Sequence, residues 1–360
     1  MKMGDIDCRY TMNHYIETVE ELSRYLDIDA LSLNRVIDSY PMRINPYFLD
    51  LAIRKGEALL HQIIPDTREL HDHVGLVDPL AEERDSPVDN LTHRYPDRVL
   101  FLVSEECAVF CRFCTRKRRI GRPGQITDSA IEQGFEYIRH CREIRDVLVS
   151  GGDPLMLSDE RLDWILGCLH AIPHVKIIRI GTRIPSVLPG RITPKLISIF
   201  NKYSPLYINV HFNHPGEVTS QSRKACALLS DGGIPLGNQT VLLRGINDDP
   251  RILLRLFRSL LTMRVKPYYL HQGDLTLGTD HFRTSIDAGL SIMKHLRGRI
   301  SGMAIPSYVV DLPGGGGKVP LLPEYIVDKN RDDVVCINYQ GKRFKYPQPS
   351  PMRFDKIESN

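Results

Sequence analysis

Three cysteines crowd into CAVFCRFC at residues 107–114, with three and then two residues between them. Thiolates at Cys107, Cys111 and Cys114 can hold three irons of a [4Fe–4S] cluster and leave the fourth iron open to a ligand. A zinc site would need four protein ligands in a closed tetrahedron. No fourth cysteine or histidine lies at zinc-finger distance within this stretch. The aromatic Phe113, just before the last thiol, suits a group that lies beside an adenine. The other five cysteines (Cys8, Cys141, Cys168, Cys226 and Cys336) are scattered and read as ordinary core or surface residues.

A second reactive group stands far along the chain. In DLPGGGGK, residues 311–318, four glycines precede a single lysine. A phosphate-binding P-loop would need glycine where Leu312 stands and a hydroxyl where Val319 stands, so that reading is poor. A lysine amine can instead form a Schiff base with pyridoxal phosphate (PLP), and small neighbours leave room for its ring and phosphate. A flexible surface turn is the plain alternative, and spacing alone leaves both open.

Such groups need a frame that brings distant segments together. Apolar or β-branched runs recur at RVLFLVSE (98–105), DVLVSGG (146–152), VKIIRIG (175–181), LYINVHF (206–212), NQTVLLRG (238–245) and VKPYYLHQ (265–272). Helical periodicity fills the gaps. Ile131, Phe135 and Ile138 share one face of the first, and Leu162, Ile165, Leu166 and Leu169 mark the second. Strands alternating with helices predict right-handed βαβ units on a parallel sheet. The fold is α/β, with six units, too few for a closed eight-unit barrel.

The residues capable of chemistry follow the strand ends: the cysteine loop, SGGDP, GTR, HFNH, RGIND and HQGD. Parallel α/β sheets place ligands at the carboxyl ends of their strands, so this clustering predicts an active site there. The segment before the first strand reads as helical. Tyr15, Val19, Leu22 and Leu26 share one face, and a second helix runs through YFLDLAIRKG (47–56) to its glycine. Residues 67–95 predict a long irregular connection wrapped over the next domain.

With 360 residues, 42% hydrophobic and 25% charged, the chain has room for one large enzyme domain with additions. No run approaches the roughly 18 apolar residues of a membrane span. The amino terminus MKMGDIDCRY lacks the apolar core of a signal peptide, so a cytoplasmic protein without membrane association is expected. A net charge of +3 does not argue for nucleic acid. The basic run RKRRIGR (116–122) reads as a solvated face, a phosphate contact or, for Arg116 two residues beyond the last thiol, a group held near the cluster.

The cysteine spacing after the first strand, with SGGDPL (150–155) after the second, resembles the radical S-adenosylmethionine (SAM) enzymes. Longer stretches narrow the likeness. THRYPDRVLFL (92–102), CRFCTRKRRIG (111–121), RIGTRIPSVLPGRIT (179–193), HFNHP (211–215), NQTVLLRGIND (238–248), GDLTLGTDHFRT (273–284) and DLPGGGGK stand in the order found in the lysine 2,3-aminomutase family. The resemblance implies a radical-SAM partial (β/α)6 barrel over residues 93–300. An N-terminal helical region and connection would occupy 1–92, and a C-terminal segment carrying the PLP lysine 301–360. It implies an isomerase that moves an amino group between Cα and Cβ. The reduced cluster cleaves SAM, and a 5′-deoxyadenosyl radical takes hydrogen from substrate Cβ while PLP holds the migrating nitrogen.

On the family's pattern Lys318 carries PLP, and Arg94 and Tyr95 lie near its phosphate. Gly151, Gly152, Asp153, Phe113 and Gln239 match positions near SAM. Arg116 would pair with the substrate α-carboxylate, while Lys117, Arg118 and Arg119 stay structural or solvent-facing. Asp274 and Asp311 would bind the distal ammonium of L-lysine, although capping or a salt bridge is the commoner role of any single aspartate. Two acids disfavour a glutamate 2,3-aminomutase, whose side-chain carboxylate they would repel. A mutase making β-lysine for attachment to a translation elongation factor shares the same chemistry and stays open. An RNA-modifying cluster protein would leave Lys318 unexplained, so no nucleic-acid partner is expected. An electron donor for the cluster is implied. Assembly into a homo-oligomer stays open, because longer members assemble through a zinc-binding extension and only Cys336 lies beyond the lysine here.

Overall fold

The computed structural model describes residues 14–122, 124 and 126–348. Cys8 and the stretch read for a signal peptide lie outside the described residues. Four helices come first: α1 (Val19–Leu22), α2 (Ala30–Ser39), α3 (Pro46–Lys55) and α4 (Glu57–Leu60). The helical face expected from Tyr15 to Leu26 is only one turn long. Thr18 is extended and caps α1 reciprocally with Glu21, so the helix cannot begin earlier. Ile16 instead bridges to Ile44. The second expected helix is present as α3, and it ends at Gly56 with φ 90°. The 67–95 segment is less irregular than expected, holding a single 3₁₀ turn (Thr67–His71) and an edge strand.

Nine strands form one sheet in chain order. They are β1 (Leu91–Tyr95), β2 (Arg98–Ser104), β3 (Asp146–Gly151), β4 (Ile177–Thr182), β5 (Leu206–Val210), β6 (Leu236–Leu242), β7 (Val265–Gln272), β8 (Ser307–Leu312) and β9 (Gly317–Pro320). From β2 to β8 every neighbour pair is parallel. At the edges β1 and β9 pair antiparallel. The six expected strands are therefore joined by a seventh parallel one, β8, and the sheet curls into a partial barrel. A separate antiparallel sheet follows: β10 (Ile326–Lys329), β11 (Asp333–Ile337) and β12 (Arg343–Pro347).

The crossing helices are α5 (Asp128–His140), α6 (Asp159–His170), α7 (Ile184–Val187), α8 (Pro194–Phe200), α9 (Ser220–Asp231), α10 (Pro250–Thr262) and α11 (Ile286–Leu296). Six of the seven start on a side-chain cap: Thr127, Ser158, Thr193, Thr219, Asp249 and Ser285. Each such cap stabilises by about 1 kcal/mol. On α10, Leu253, Leu256, Phe257 and Leu260 form one buried stripe. Truncating a buried aromatic of this kind costs about 3–5 kcal/mol.

Along the strands side chains alternate between two surroundings. Val147, Val149, Ile178, Ile180 and Leu270 join the continuous apolar core. Leu148, Ser150, Arg179, Gly181 and His271, their neighbours in sequence, line the interior of the barrel. The apolar half holds the fold together; the other half is left for chemistry. Among the described residues, no helix is long and apolar enough to cross a membrane.

Candidate active site

The inward residues and the loops at the strand ends enclose a cavity of about 760 Å³. That is a volume suited to ligands of cofactor size. Cys107, Cys111 and Cys114 all line it, on the loop that leaves β2. Among the described residues no three metal-binding side chains converge on one point. Arg183 Nη1 donates to Cys111 Sγ at 2.8 Å and brings positive charge to a sulfur that would carry a negative cluster. Burial pushes the Cys107 thiol well above its ordinary value, helped by Asp153. Burial, then Cys111, pushes Cys114 up to about 11. Loading iron must therefore drive protons off these thiols. The residues fit a cluster.

Gly151 ends β3 and Gly152 follows it, both against the chain that enters the cysteine loop. A Cβ on Gly152 would sit 2.4 Å from the Glu106 carbonyl oxygen, and one on Gly151 2.2 Å from that of Ser104. Two backbone bonds, Gly152 N to Ser104 O (2.5 Å) and Asp153 N to Glu106 O (2.6 Å), need this approach. The close partner of both glycines is the cysteine loop itself. The Asp153 carboxylate lies at the cavity wall but accepts from Thr182 Oγ1 (2.7 Å) and the Arg183 amide (2.7 Å). It braces the loop beside Arg183. Burial, the largest influence, raises its pKa.

Phe113 and Gln239 also line the cavity, and Phe113 packs edge-on to His211. Two donors there lack partners. Asn209 Nδ2 and Arg183 Nε are buried without a hydrogen bond among the described residues, and both side chains line the cavity. Buried donors are rarely left so, and at a cavity wall a ligand or water can complete them. This part of the wall fits a polar cofactor such as SAM.

The glycine run is the turn of a hairpin between β8 and β9. Gly314, Gly315 and Gly317 have φ of 66°, 79° and 83°, a region strained for other residues. The turn places Asp311 directly opposite Lys318 in cross-strand register. A fixed ladder therefore holds the two side chains together. Lys318 Nζ is ion-paired with Asp311. The Lys318 amide donates to the Tyr95 hydroxyl at 2.9 Å. Tyr95 and Arg94 line the cavity, with Arg94 held by Asp85 at 2.9 Å. An amine in a roomy cavity, flanked by an arginine and two tyrosines (Tyr269 lies beneath Nζ at 5.2 Å), fits PLP.

The basic run is only partly internal: Lys117 is buried, Arg116, Arg118 and Arg119 are half-buried, and Arg122 is exposed. Lys117 and Arg112 share Glu69, which is fully buried. Arg118 reaches Asp78 at 2.9 Å. Arg116 faces the cavity, but its Nε and Nη2 grip Glu82 at 3.1 and 2.7 Å. Nη1 makes no hydrogen bond among the described residues. The side edge of the guanidinium is thus used by protein, and the end edge is left for a ligand. Glu82 follows Ala81, whose φ of 51° is uncommon outside glycine. Sequence reasoning missed Glu82, which sits in a polar segment without periodicity.

Asp274 lies in the cavity wall, accepting from Thr115 Oγ1 at 2.6 Å. Burial raises its pKa, with Asp311 adding to the rise. Burial works the same way on Asp311, but His271 and Lys318 outweigh it and hold the carboxyl down to about 2. Two carboxylates within mutual influence, with Arg116 nearby, make one cavity cationic at one point and anionic at another.

Residues 293–359 match the family described as lysine-2,3-aminomutase. Residues 101–257 match the radical SAM superfamily. The L-lysine 2,3-aminomutase of Acetoanaerobium sticklandii is 44% identical over 97% of this chain and 86% of its own length. That of Methanococcus maripaludis is 46% identical over 96% of this chain and 82% of its own. The glutamate 2,3-aminomutase of Clostridioides difficile is 44% identical over 97% and 84%. Overall likeness therefore does not separate the two substrates, but it does decide the enzyme class. The chain belongs to the lysine 2,3-aminomutase family of the radical SAM superfamily, isomerases that use a [4Fe–4S] cluster, SAM and PLP.

Proposed function

We propose that this enzyme interconverts L-lysine and β-lysine. The observation that carries the reading is the pair Asp274 and Asp311 in the same cavity as Arg116 and Lys318. L-lysine would meet opposite charge at both ends, whereas L-glutamate would bring a second carboxylate against two acids. The cluster with SAM supplies a carbon-centred radical, and PLP supplies a conjugated system that spreads the unpaired electron as the amino group shifts. The chain's own residues do the rest. Cys107, Cys111 and Cys114 would bind the cluster, and Gly151, Gly152 and Asp153 would keep their loop in place beside it. Phe113, Gln239 and the unpartnered Asn209 amide would line the SAM site. Arg94 and Tyr95 would flank the PLP phosphate. Arg116, steadied by Glu82, would offer its free edge to the α-carboxylate. The walls would exclude water and hold the reacting atoms at near-attack distance. An external one-electron donor and a cytoplasmic, reducing setting belong to the same reading. The direct test is an anaerobic assay with reconstituted cluster, PLP, SAM and L-lysine; β-lysine is the expected product, and its absence from fully loaded enzyme would refute the proposal.

Lys318 is assigned as the residue that holds PLP. Borohydride reduction followed by peptide mapping is expected to leave the pyridoxyl group on the peptide containing Lys318. Label on another lysine would refute the assignment. Residual PLP in Lys318→Ala decides nothing, because phosphate contacts can retain it.

Glu82 is assigned as the partner that fixes Arg116. Glu82 is nearly fully buried, so Glu82→Gln leaves a guanidinium without its counter-charge. The expected loss is about 3 kcal/mol of folding stability, the low end for a buried pair because Arg116 faces the cavity. Urea unfolding midpoints of loaded wild type and variant measure it. Equal midpoints would remove Glu82 from this role.

A further inference from the structure

His271 opens the HQGD stretch at a strand end, and the resemblance assigned it no role of its own. It lies near the carboxyl end of β7, paired in register with Val309 on β8, two residues before Asp311. Its Nδ1 is 3.4 Å from Lys318 Nζ and 3.5 Å from Asp311 Oδ2. Its Nε2 has no hydrogen-bond partner among the described residues, and the side chain lines the cavity. One ring nitrogen thus touches the amine–carboxylate pair while the other stays open. Asp311, Lys318 and Asp274 are the charged groups around it, and Tyr269 packs edge-on at 5.3 Å.

We propose that His271 is a catalytic residue that moves protons to and from the Lys318 amine as PLP is captured and released. This rests on Lys318 being the residue that holds PLP. An ammonium is not a nucleophile, so Lys318 must lose a proton before Nζ can attack the PLP aldehyde. The Nζ–carbon bond then forms and the carbon–oxygen bond breaks. The oxygen leaves as water with two of the three ammonium protons, and the third stays on nitrogen. His271 accepts one proton as the amine becomes nucleophilic and gives it to the former aldehyde oxygen, then takes a second from the nitrogen and gives it to the same oxygen as it departs. It ends as it began, and no further reactant is needed.

The neighbours are poorly suited to that task. Asp311 is held down to about 2, burial notwithstanding, by His271 and Lys318, which makes it a weak base. Asp274 is engaged with Thr115, and no hydrogen bond joins it to Lys318. Imidazole is the side chain most often used for proton transfer near neutral pH. Its position beside Nζ, with a free second nitrogen, suits a relay between the amine and the cavity.

The test uses full-length protein with its cluster, stripped of PLP and mixed with PLP without SAM, so that no radical chemistry intervenes. The rate at which the Schiff-base absorbance appears is the readout. His271→Gln is expected to load about a hundredfold more slowly, the usual scale of general acid–base assistance, and to reach the wild-type final occupancy. Slow loading of His271→Ala is expected to be restored by added imidazole. Loading at the wild-type rate, or slow loading that imidazole leaves unchanged, overturns the proposal. Loss of final occupancy in both variants also overturns it, because that marks a binding role. Borohydride mapping run alongside keeps the two assignments apart. Label away from Lys318 refutes the PLP lysine, whereas label on Lys318 with unchanged rates refutes the role of His271 alone.

Discussion

Alanine at any one of Cys107, Cys111 or Cys114 is expected to reduce SAM cleavage and amino-group migration to background. On the proposed reading each thiolate would serve one iron, and the fourth iron would be the position open to SAM. Among the described residues no other cysteine lines the cavity. Reconstituted wild type should carry about four irons per chain, and the triple variant close to none. PLP on Lys318 should survive in every variant, because that lysine comes from β9 at the far edge of the sheet. Retained PLP absorbance therefore separates loss of the cluster from loss of the fold. Full turnover by the triple variant would end the radical reading.

Asp311→Asn and Asp274→Asn are expected to impair lysine turnover while cluster content stays intact. Each removes one of two carboxylates that would face the distal ammonium. Leaving a buried, hydrogen-bonded charge underpaired costs about 2–5 kcal/mol. In affinity that is about thirtyfold to several thousandfold. The two variants should differ. Asp311 also pairs with Lys318 and His271, so its loss should change the rate of PLP loading as well. Asp274 bonds to Thr115 instead, so its loss should act on lysine alone. Normal lysine kinetics in both variants would show that other groups choose the substrate.

Much of this site was legible because the carriers of chemistry stand next to strong local patterns. DVLVSGG reads as a strand because Val147 and Val149 feed the core, and its Gly152 falls where the cysteine loop must pass. Cys107, Cys111 and Cys114 are close in sequence, so their meeting needs no tertiary knowledge. What escaped depends on register between distant segments. His271 meets Lys318 across 47 residues, and the parallel pairing of β7 with β8 and the antiparallel pairing of β8 with β9 together bring them close. Glu82 meets Arg116 from a polar connection without periodicity, held there by contacts such as Gly314 N to Pro79 O at 2.8 Å. The edge strand β1 was hidden for another reason: it contains His93, Arg94 and Tyr95, which look like site residues before they look like a strand. In the amino-terminal segment, Tyr15 to Leu26 has helical spacing, but the Thr18 cap interrupts it. Periodicity reports which residues could share a face, while caps decide where a helix starts.

The most direct measurement places L-lysine and L-glutamate in one anaerobic reaction with fully loaded wild-type enzyme and quantifies both β-amino acids. The expected result is β-lysine in large excess, with the preference sharply reduced by Asp274→Asn or Asp311→Asn. A wild-type enzyme that turns over glutamate in preference to lysine would contradict the account.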